Sequence, residues 1–319
     1  MSPNMLARRL RGGLFALAAL AGVFAASEVQ AQRTHVLIVS GLSGDPAFKR
    51  SFQQVATTVK EAARSRWNVA DSSLIVLTED SLPNALSRGR STRDAVAKAF
   101  TTLSTRVQPG DVVLVLLLGH GSGEGPGSKV NLPGPDATAA DYATWVAGFS
   151  RQSVVFVNAA TGSGDFVPVL EGPGRVVVTA TRSAVEKNES VFAGFFAKAL
   201  SSDESDGDKD GRVSVLEAFQ FTTREVGKVY ETSGRMQTEH ARLSDSTRAR
   251  LVSFGKTTVS TDPRVTALIA ERQALESDVA ALRAKKATMD AAAYDKELER
   301  LLIAIAEKTQ AIRAAGGKP

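Results

Sequence analysis

Seven consecutive residues, 112–118, are all valine or leucine. A strand with one wet face alternates apolar and polar side chains; this run has no polar set to offer water, so it must be buried on both sides. The fold that does this is a parallel sheet covered by helices on each face. Strand-type signals recur at 36–39, 74–77, 154–157 and 176–179, and helical spacing fills much of the chain between them, at 47–66 and 142–149. A Gly41-Leu42-Ser43-Gly44-Asp45-Pro46 turn follows the first strand. Ser91 is the expected cap of a helix through Val107, with Asp94 as its capping-box partner. This βαβα order predicts an α/β three-layer sandwich with a mostly parallel sheet.

The most specific chemistry lies at 206–217, which reads Asp-Gly-Asp-Lys-Asp-Gly-Arg-Val-Ser-Val-Leu-Glu. Asp206, Asp208 and Asp210 stand at the first, third and fifth loop positions, Gly211 at the sixth, Arg212 at the seventh, Ser214 at the ninth and Glu217 at the twelfth. A hard divalent cation takes roughly six to eight oxygens; alternating aspartates wrap one side, the Arg212 carbonyl adds another, and a bidentate glutamate closes the shell. The glycine permits the sharp turn, and Val213 points inward. Residues 189–200 and 213–230 carry apolar side chains at helical spacing, so helix, loop, helix is the EF-hand plan and Ca2+ the expected ion. The other reading is a hydrophilic connector whose acids cap the next helix. No second loop of this kind is found, so the lone hand is expected to act as a structural clamp rather than a switch.

At the N-terminus, Arg8, Arg9 and Arg11 precede an apolar stretch at 14–26, and Val29-Gln30-Ala31 is a small-residue cleavage pattern. This is the plan of a signal peptide for secretion, with cleavage expected after Ala31. The stretch is short against the roughly 20 residues of a membrane span, so no stable span is expected after cleavage. The expected destination is the periplasm, or secretion beyond it. The formal charge is +5, of which three arginines and Glu28 in the first 31 residues supply +2. The remaining Lys and Arg are scattered without interleaved aromatics, so nucleic acid is not an expected partner. There are no cysteines. A chain this long buries a core without disulfides, and the same absence removes every thiol nucleophile.

Residues 32–255 are therefore expected to form the α/β domain, with the calcium loop inside it. From about Ser260 on, aromatics almost vanish and Ala, Lys, Arg, Glu and Leu dominate. Val265, Leu268, Leu275, Val279 and Leu282 form one stripe, and Leu298, Leu301, Leu302, Ile305 and Ile312 another. A break at 285–290 divides them, which predicts a helical hairpin or coiled coil over 261–315. It is either an appendage docked on the domain before it or a surface for self-association or a partner.

Ligands of an open parallel sheet bind at the carboxyl ends of its strands. The third strand runs into Gly119-His120-Gly121-Ser122, and the fourth into Asn158-Ala159-Ala160-Thr161-Gly162-Ser163-Gly164. If the two are neighbours, His120 faces the second turn across about 5 Å. The flanking glycines free backbone N–H groups to approach a ligand; without such a role, a histidine at a strand end caps or packs. This pattern resembles the caspase-like and legumain-like cysteine peptidases, in which one strand ends in His-Gly and the next in Ala-Cys, the histidine serving as general base and the cysteine as nucleophile. Residues 114–121 match the histidine strand, and 154–164 match the cysteine strand, with Ala159 in the alanine position and Ala160 where the cysteine stands. Residues 175–182 resemble the strand that follows, and the resemblance spans roughly 34–245.

The resemblance implies that His120 and Gly121 are retained while the nucleophile is lost at Ala160. A replacement would have to be Ser163, Thr161 or Ser122, activated by His120 and oriented by an acid such as Asp136 or Asp165. Ser163 also reads as a turn residue. The expected function is that of an exported calcium-binding peptidase homologue, a pseudoenzyme that binds a protein or peptide through its cleft and C-terminal helices. The alternative is an active peptidase or other hydrolase of the same fold with a non-cysteine nucleophile near His120.

Overall fold

A computed structural model describes residues 32–80, 86–255, 262–284, 286 and 288–317. In chain order the first half holds β1 (Thr34–Ser40), α1 (Pro46–Ser65), β2 (Leu74–Leu77), α2 (Arg93–Ser104), β3 (Val112–Leu118), β4 (Gly121–Ser122), β5 (Lys129–Val130), β6 (Ala137–Thr138), α3 (Ala139–Val146) and β7 (Ser153–Asn158). The second half holds α4 (Phe166–Leu170), β8 (Arg175–Thr179), α5 (Phe192–Ser201), β9 (Arg212–Ser214), α6 (Val215–Ser233), β10 (Arg242–Leu243), α7 (Ser246–Leu251), β11 (Ser253–Gly255), α8 (Pro263–Ala284) and α9 (Ala291–Ala314).

The main sheet has the order β10-β8-β7-β3-β1-β2 and is parallel except for β10, which runs antiparallel on β8. The all-apolar run is its central strand. Val112, Leu114, Leu116 and Leu118 enter the layer that holds α1, α5 and α6, while Val113, Val115 and Leu117 enter the layer of α2, α3 and α4. Each such fully buried side chain stabilises the fold by about 1.5–3 kcal/mol, which is why a polar residue has no place in the strand.

Helix α1 starts where Asp45 accepts hydrogen bonds from the Ala47 and Phe48 amides and Pro46 presets the first turn. Its stripe of Phe52, Val55, Ala56, Val59, Ala62 and Ala63 lies against the sheet. The cap of α2 differs from expectation. Thr92, not Ser91, accepts from the Ala95 amide, because the Ser91 hydroxyl donates to the Ser40 carbonyl at 2.7 Å and is committed to β1. Asp94 accordingly forms no capping box with Ser91, and the helix ends at Ser104, short of Val107.

The helix expected over 213–230 also starts later, at Val215, because residues 212–214 form β9 and pair antiparallel with β11. Helices α8 and α9 pack together around Val279, Leu282, Tyr294 and Leu301, and a Lys308–Glu271 ion pair at 2.5 Å joins the first half of α8 to the second half of α9, so the two run antiparallel, as the break at 285–290 predicts. Leu302 departs from its stripe: it is 48% exposed, beside an Ile303 that is 52% exposed. Gln32–Pro319 forms one unit that includes this hairpin. No described helix is long and apolar enough to cross a membrane. The expected leader at 1–31 lies outside the described residues.

Candidate functional site

The carboxyl ends of β3 and β7 lie side by side, with Leu117 opposite Asn158 in register. Beyond the strands the two turns still touch, the Gly121 amide donating to Thr161 Oγ1 at 3.3 Å. A Cβ on Gly121 would stand 2.4 Å from the Thr161 carbonyl oxygen, so this approach excludes every other residue. His120 is thereby set at the mouth of the sheet. Its ring lies 4.7 Å from that of Phe48, edge to face, and 5.7 Å from that of Phe52, both on α1. Its Nε2 is 3.1 Å from the Ser43 carbonyl oxygen. A carbonyl only accepts, so Nε2 carries the proton and donates.

Ser43 is fixed in turn by Glu79, whose carboxylate accepts from its amide at 3.1 Å and its hydroxyl at 2.7 Å. Lys49 bridges Asp80 at 2.6 Å and Glu79 at 3.6 Å. The histidine is thus oriented by the turn after β1, and neither acid expected for that task takes part. Asp136 accepts from the Leu132 amide and pairs with Lys129 at 2.7 Å, and Asp165 accepts from the Gly125 amide. Both brace the Gly- and Pro-rich segment 122–136 instead. No sequence motif marks Phe48, Phe52 or Glu79 for this role, and Ser43 is marked only by the tight turn at the end of a strand adjacent to β3.

A cavity of about 350 Å³ opens beside His120, walled by Phe48, Phe52, Val191, Phe195 and Ala159, with Thr161 also on its lining. Strand alternation continues past β7, so Ala159 faces this side while Ala160, fully buried, lies in the opposite layer with Phe156 and Phe166. Ser163 is buried as well. Its amide and hydroxyl engage Thr181 at 2.7 and 3.2 Å, and none of its hydrogen bonds reaches His120. Ser122 donates to Asn131 Oδ1 at 3.4 Å. Of the three hydroxyls, only Thr161 shares the cavity with the histidine. Among the described residues, Asn158 Nδ2, Tyr142 Oη and Ser128 Oγ are buried without hydrogen-bond partners. His35 and His240 pair elsewhere, with Asp111 at 3.1 Å and Glu186 at 2.8 Å.

The acidic loop forms a second candidate centre. Asp206, Asp208 and Asp210 offer carboxylate oxygens that all lie within 4.8 Å of one another. Lys209 and Gly211 turn the chain back with φ of 57° and 85°, the second being the glycine position of the motif. The Asp206 carboxylate accepts from the Asp210 and Gly211 amides. Burial, joined by the neighbouring Asp208 and Asp206, pushes the Asp210 carboxyl up to about 6 against the pull of the Arg212 amide; burial and Glu217 raise Asp208. Glu217 ties the loop to the helix that follows. One oxygen accepts from the Gly207 and Asp208 amides across the loop, and the other forms a capping box with Ser214 at the start of α6. Arg212 turns its side chain away, its guanidinium donating to the Ser253 hydroxyl and carbonyl, both at 2.7 Å. Val213 is buried, and Phe254 of β11 is its partner across the short ladder.

No protein-family model matches the chain, and no curated relative does. Among solved structures it is similar to drICE, a caspase, at 10% identity and a TM-score of 0.39, over 68% of this chain and 88% of that one. It is also similar to protein GSU0716 from Geobacter sulfurreducens, at 11% identity and a TM-score of 0.41, over 73% of this chain and 96% of that one. Likenesses at this level fix neither a family nor an activity.

Proposed function

We propose that this chain is an exported, calcium-binding homologue of the caspase-like and legumain-like peptidases that has lost catalysis and holds a protein or peptide segment in the former cleft. One observation carries the reading: His120 is held at the mouth of the sheet by its Nε2–H on the Ser43 carbonyl, while the alanine facing its cavity is Ala159 and the expected thiol position, Ala160, is buried in the opposite layer. A general base without a nucleophile has nothing to activate. What the cavity retains is an apolar lining that suits one apolar side chain of an extended segment, with Glu189 and Lys198 as its charged members. The exposed Leu302 and Ile303 of α9 offer a second partner surface.

The test is a peptide library presented to the purified protein in millimolar calcium, scored for both hydrolysis and retention, with His120→Ala and Phe48→Ala beside it. Retention weakened in both variants, without turnover, is expected. Turnover that His120→Ala abolishes would overturn the pseudoenzyme reading. A second reading, hydrolysis by a hydroxyl, is favoured by the place of Thr161 in the His120 cavity. It requires that Thr161→Val abolish the turnover.

The donor set of the loop fits calcium. Asp206, Asp208, Asp210, the Arg212 carbonyl, Ser214 and Glu217 would hold the ion, which supplies the positive charge that the crowded carboxylates lack. For a dissociation constant of about 0.1–1 mM, usual for extracytoplasmic modules, about 2 mM calcium would stabilise the fold by about 0.6–1.8 kcal/mol. Glu217→Gln should remove most of this. Identical melting of the parent protein with and without calcium would refute the clamp. Export rests on the leader, and the N-terminal residue of protein recovered from the periplasm should be Gln32.

A further inference from the structure

The acidic loop shares a cavity of about 780 Å³ with the C-terminal hairpin, lined by Asp208, Asp210 and Glu217 from the loop side and by Arg272 and Glu276 from α8. Arg272 and Glu276 are one helical turn apart, their side chains only 20% and 23% exposed, with Arg272 Nε 3.2 Å from the Glu276 carboxylate. That nitrogen is buried and makes no hydrogen bond, so the ion pair lacks the alignment that would commit the guanidinium to Glu276 alone. The electrostatics run across the cavity. Burial and Glu217 raise the Asp208 carboxyl, and Arg272 is the cation that draws it back. Burial lowers Arg212, Arg272 adds to that, and Glu276 opposes it. Burial in this cavity also raises Glu276 itself.

We propose that Arg272 is a tethered counter-ion of the loop, so that calcium binding and the seating of the hairpin on the loop oppose each other. This rests on the calcium reading above. The guanidinium and the ion both draw on the Asp208 carboxylate across the shared cavity and repel one another, and linkage makes the effect reciprocal: whatever seating the hairpin loses to calcium, calcium loses in affinity to the hairpin. Arg272 therefore sets the affinity of a loop more than fifty residues before it in the chain.

The experiment is a calorimetric titration of calcium chloride into the purified, chelator-stripped protein, comparing the parent with Arg272→Gln, Arg272→Lys and Lys296→Gln; Lys296→Gln removes a hairpin cation that does not line the cavity. Arg272→Gln should bind calcium about three- to ten-fold more tightly, with Arg272→Lys and Lys296→Gln within about two-fold of the parent. Hydrogen exchange over 263–284 should quicken on adding calcium to the parent and respond less in Arg272→Gln. Equal or weaker binding by Arg272→Gln, or exchange in the parent that calcium leaves unchanged, overturns the proposal. If Arg272→Gln does not fold, Glu276→Gln carries the test: loss of the acid should weaken calcium binding about two- to five-fold, and an unchanged affinity overturns the proposal. No heat of binding in the parent or any variant, together with melting that calcium does not move, overturns the calcium reading itself and the linkage with it.

Discussion

Replacing Phe254 with alanine should destabilise the protein by about 4 kcal/mol, within the range of roughly 3–5 kcal/mol for a phenylalanine emptied from a core. Phe254 is 2% exposed, stands opposite Val213 in the β9–β11 ladder, and its ring lies 4.8 Å from that of Trp67 at 32°. The loss combines apolar burial with an aromatic pair that contributes about 0.5–1.5 kcal/mol beyond its area. Trp67 and Val213 are both buried and have little freedom to close the space. Phe254→Leu keeps most of the volume and should cost under about 1.5 kcal/mol. In urea, with a slope of about 3 kcal/mol per molar, the midpoint should fall by about 1.3 M for alanine and by under about 0.5 M for leucine. An alanine variant within about 1 kcal/mol of the parent would refute the reasoning, because β11 would then be a loose end rather than the strand that completes the loop. Calcium should also stabilise the alanine variant less than the parent, since the ladder that fixes β9 is weakened.

Gly121→Ala should destabilise by about 2–4 kcal/mol and abolish peptide retention, because its Cβ would meet the backbone oxygens of Thr161 and Lys129 at 2.4 and 3.0 Å; a silent variant in thermal melts would mean that the two turns have room to part. Tyr142→Phe removes a buried hydroxyl without a partner and should leave stability unchanged or raise it by up to about 1 kcal/mol; a loss larger than that in chemical denaturation would show that the hydroxyl is satisfied by a buried water. The Arg93 guanidinium, hydrogen-bonded to Asp141, holds that carboxyl down at about 2 against the opposing effect of burial, with Thr138 assisting. A depressed carboxyl contributes stability above its ordinary pKa of about 4 and loses it as the pH falls toward the folded value. Arg93→Met should therefore be less stable than the parent near neutral pH, with the gap closing between about pH 4 and pH 2. A gap that stays constant over that acid range would refute the assignment.

The central sheet was legible in the sequence because burial on both faces leaves a mark that needs no partner to read: 112–118 is apolar throughout and is β3 residue for residue. The short antiparallel strands were not. β4, β5 and β6 have two residues each, too few for any period, and exist through pairing across the Gly- and Pro-rich segment. β11 is Ser-Phe-Gly, a strand only because β9 lies beside it. The same limit applies at the cleft. His120 announced itself by its glycines, but its orientation comes from Ser43, 77 residues away, through a backbone carbonyl that every residue type possesses. The Ser91 and Thr92 hydroxyls can both cap, Ser being the more favoured type, and the choice between them was made by the Ser40 carbonyl, a contact across the fold. In the acidic loop the spacing was visible, yet Glu217 satisfies both the EF-hand pattern and a capping box, and sequence alone does not separate the two roles.

The pairing of β9 with β11 also sets an order in time. β11 lies about forty residues beyond the loop it completes, and among the described residues it is the last strand of the body in the chain. At synthesis rates of about 5–20 residues per second, the loop waits roughly 2–8 s for its partner strand, long after β1, β2 and β3 are available to pair. During that interval the inward face of Val213 has no Phe254 against it, and the acidic turn hangs from a half-made edge. Until β11 is in place, residues 206–214 lack the strand that closes over them, wherever the chain folds.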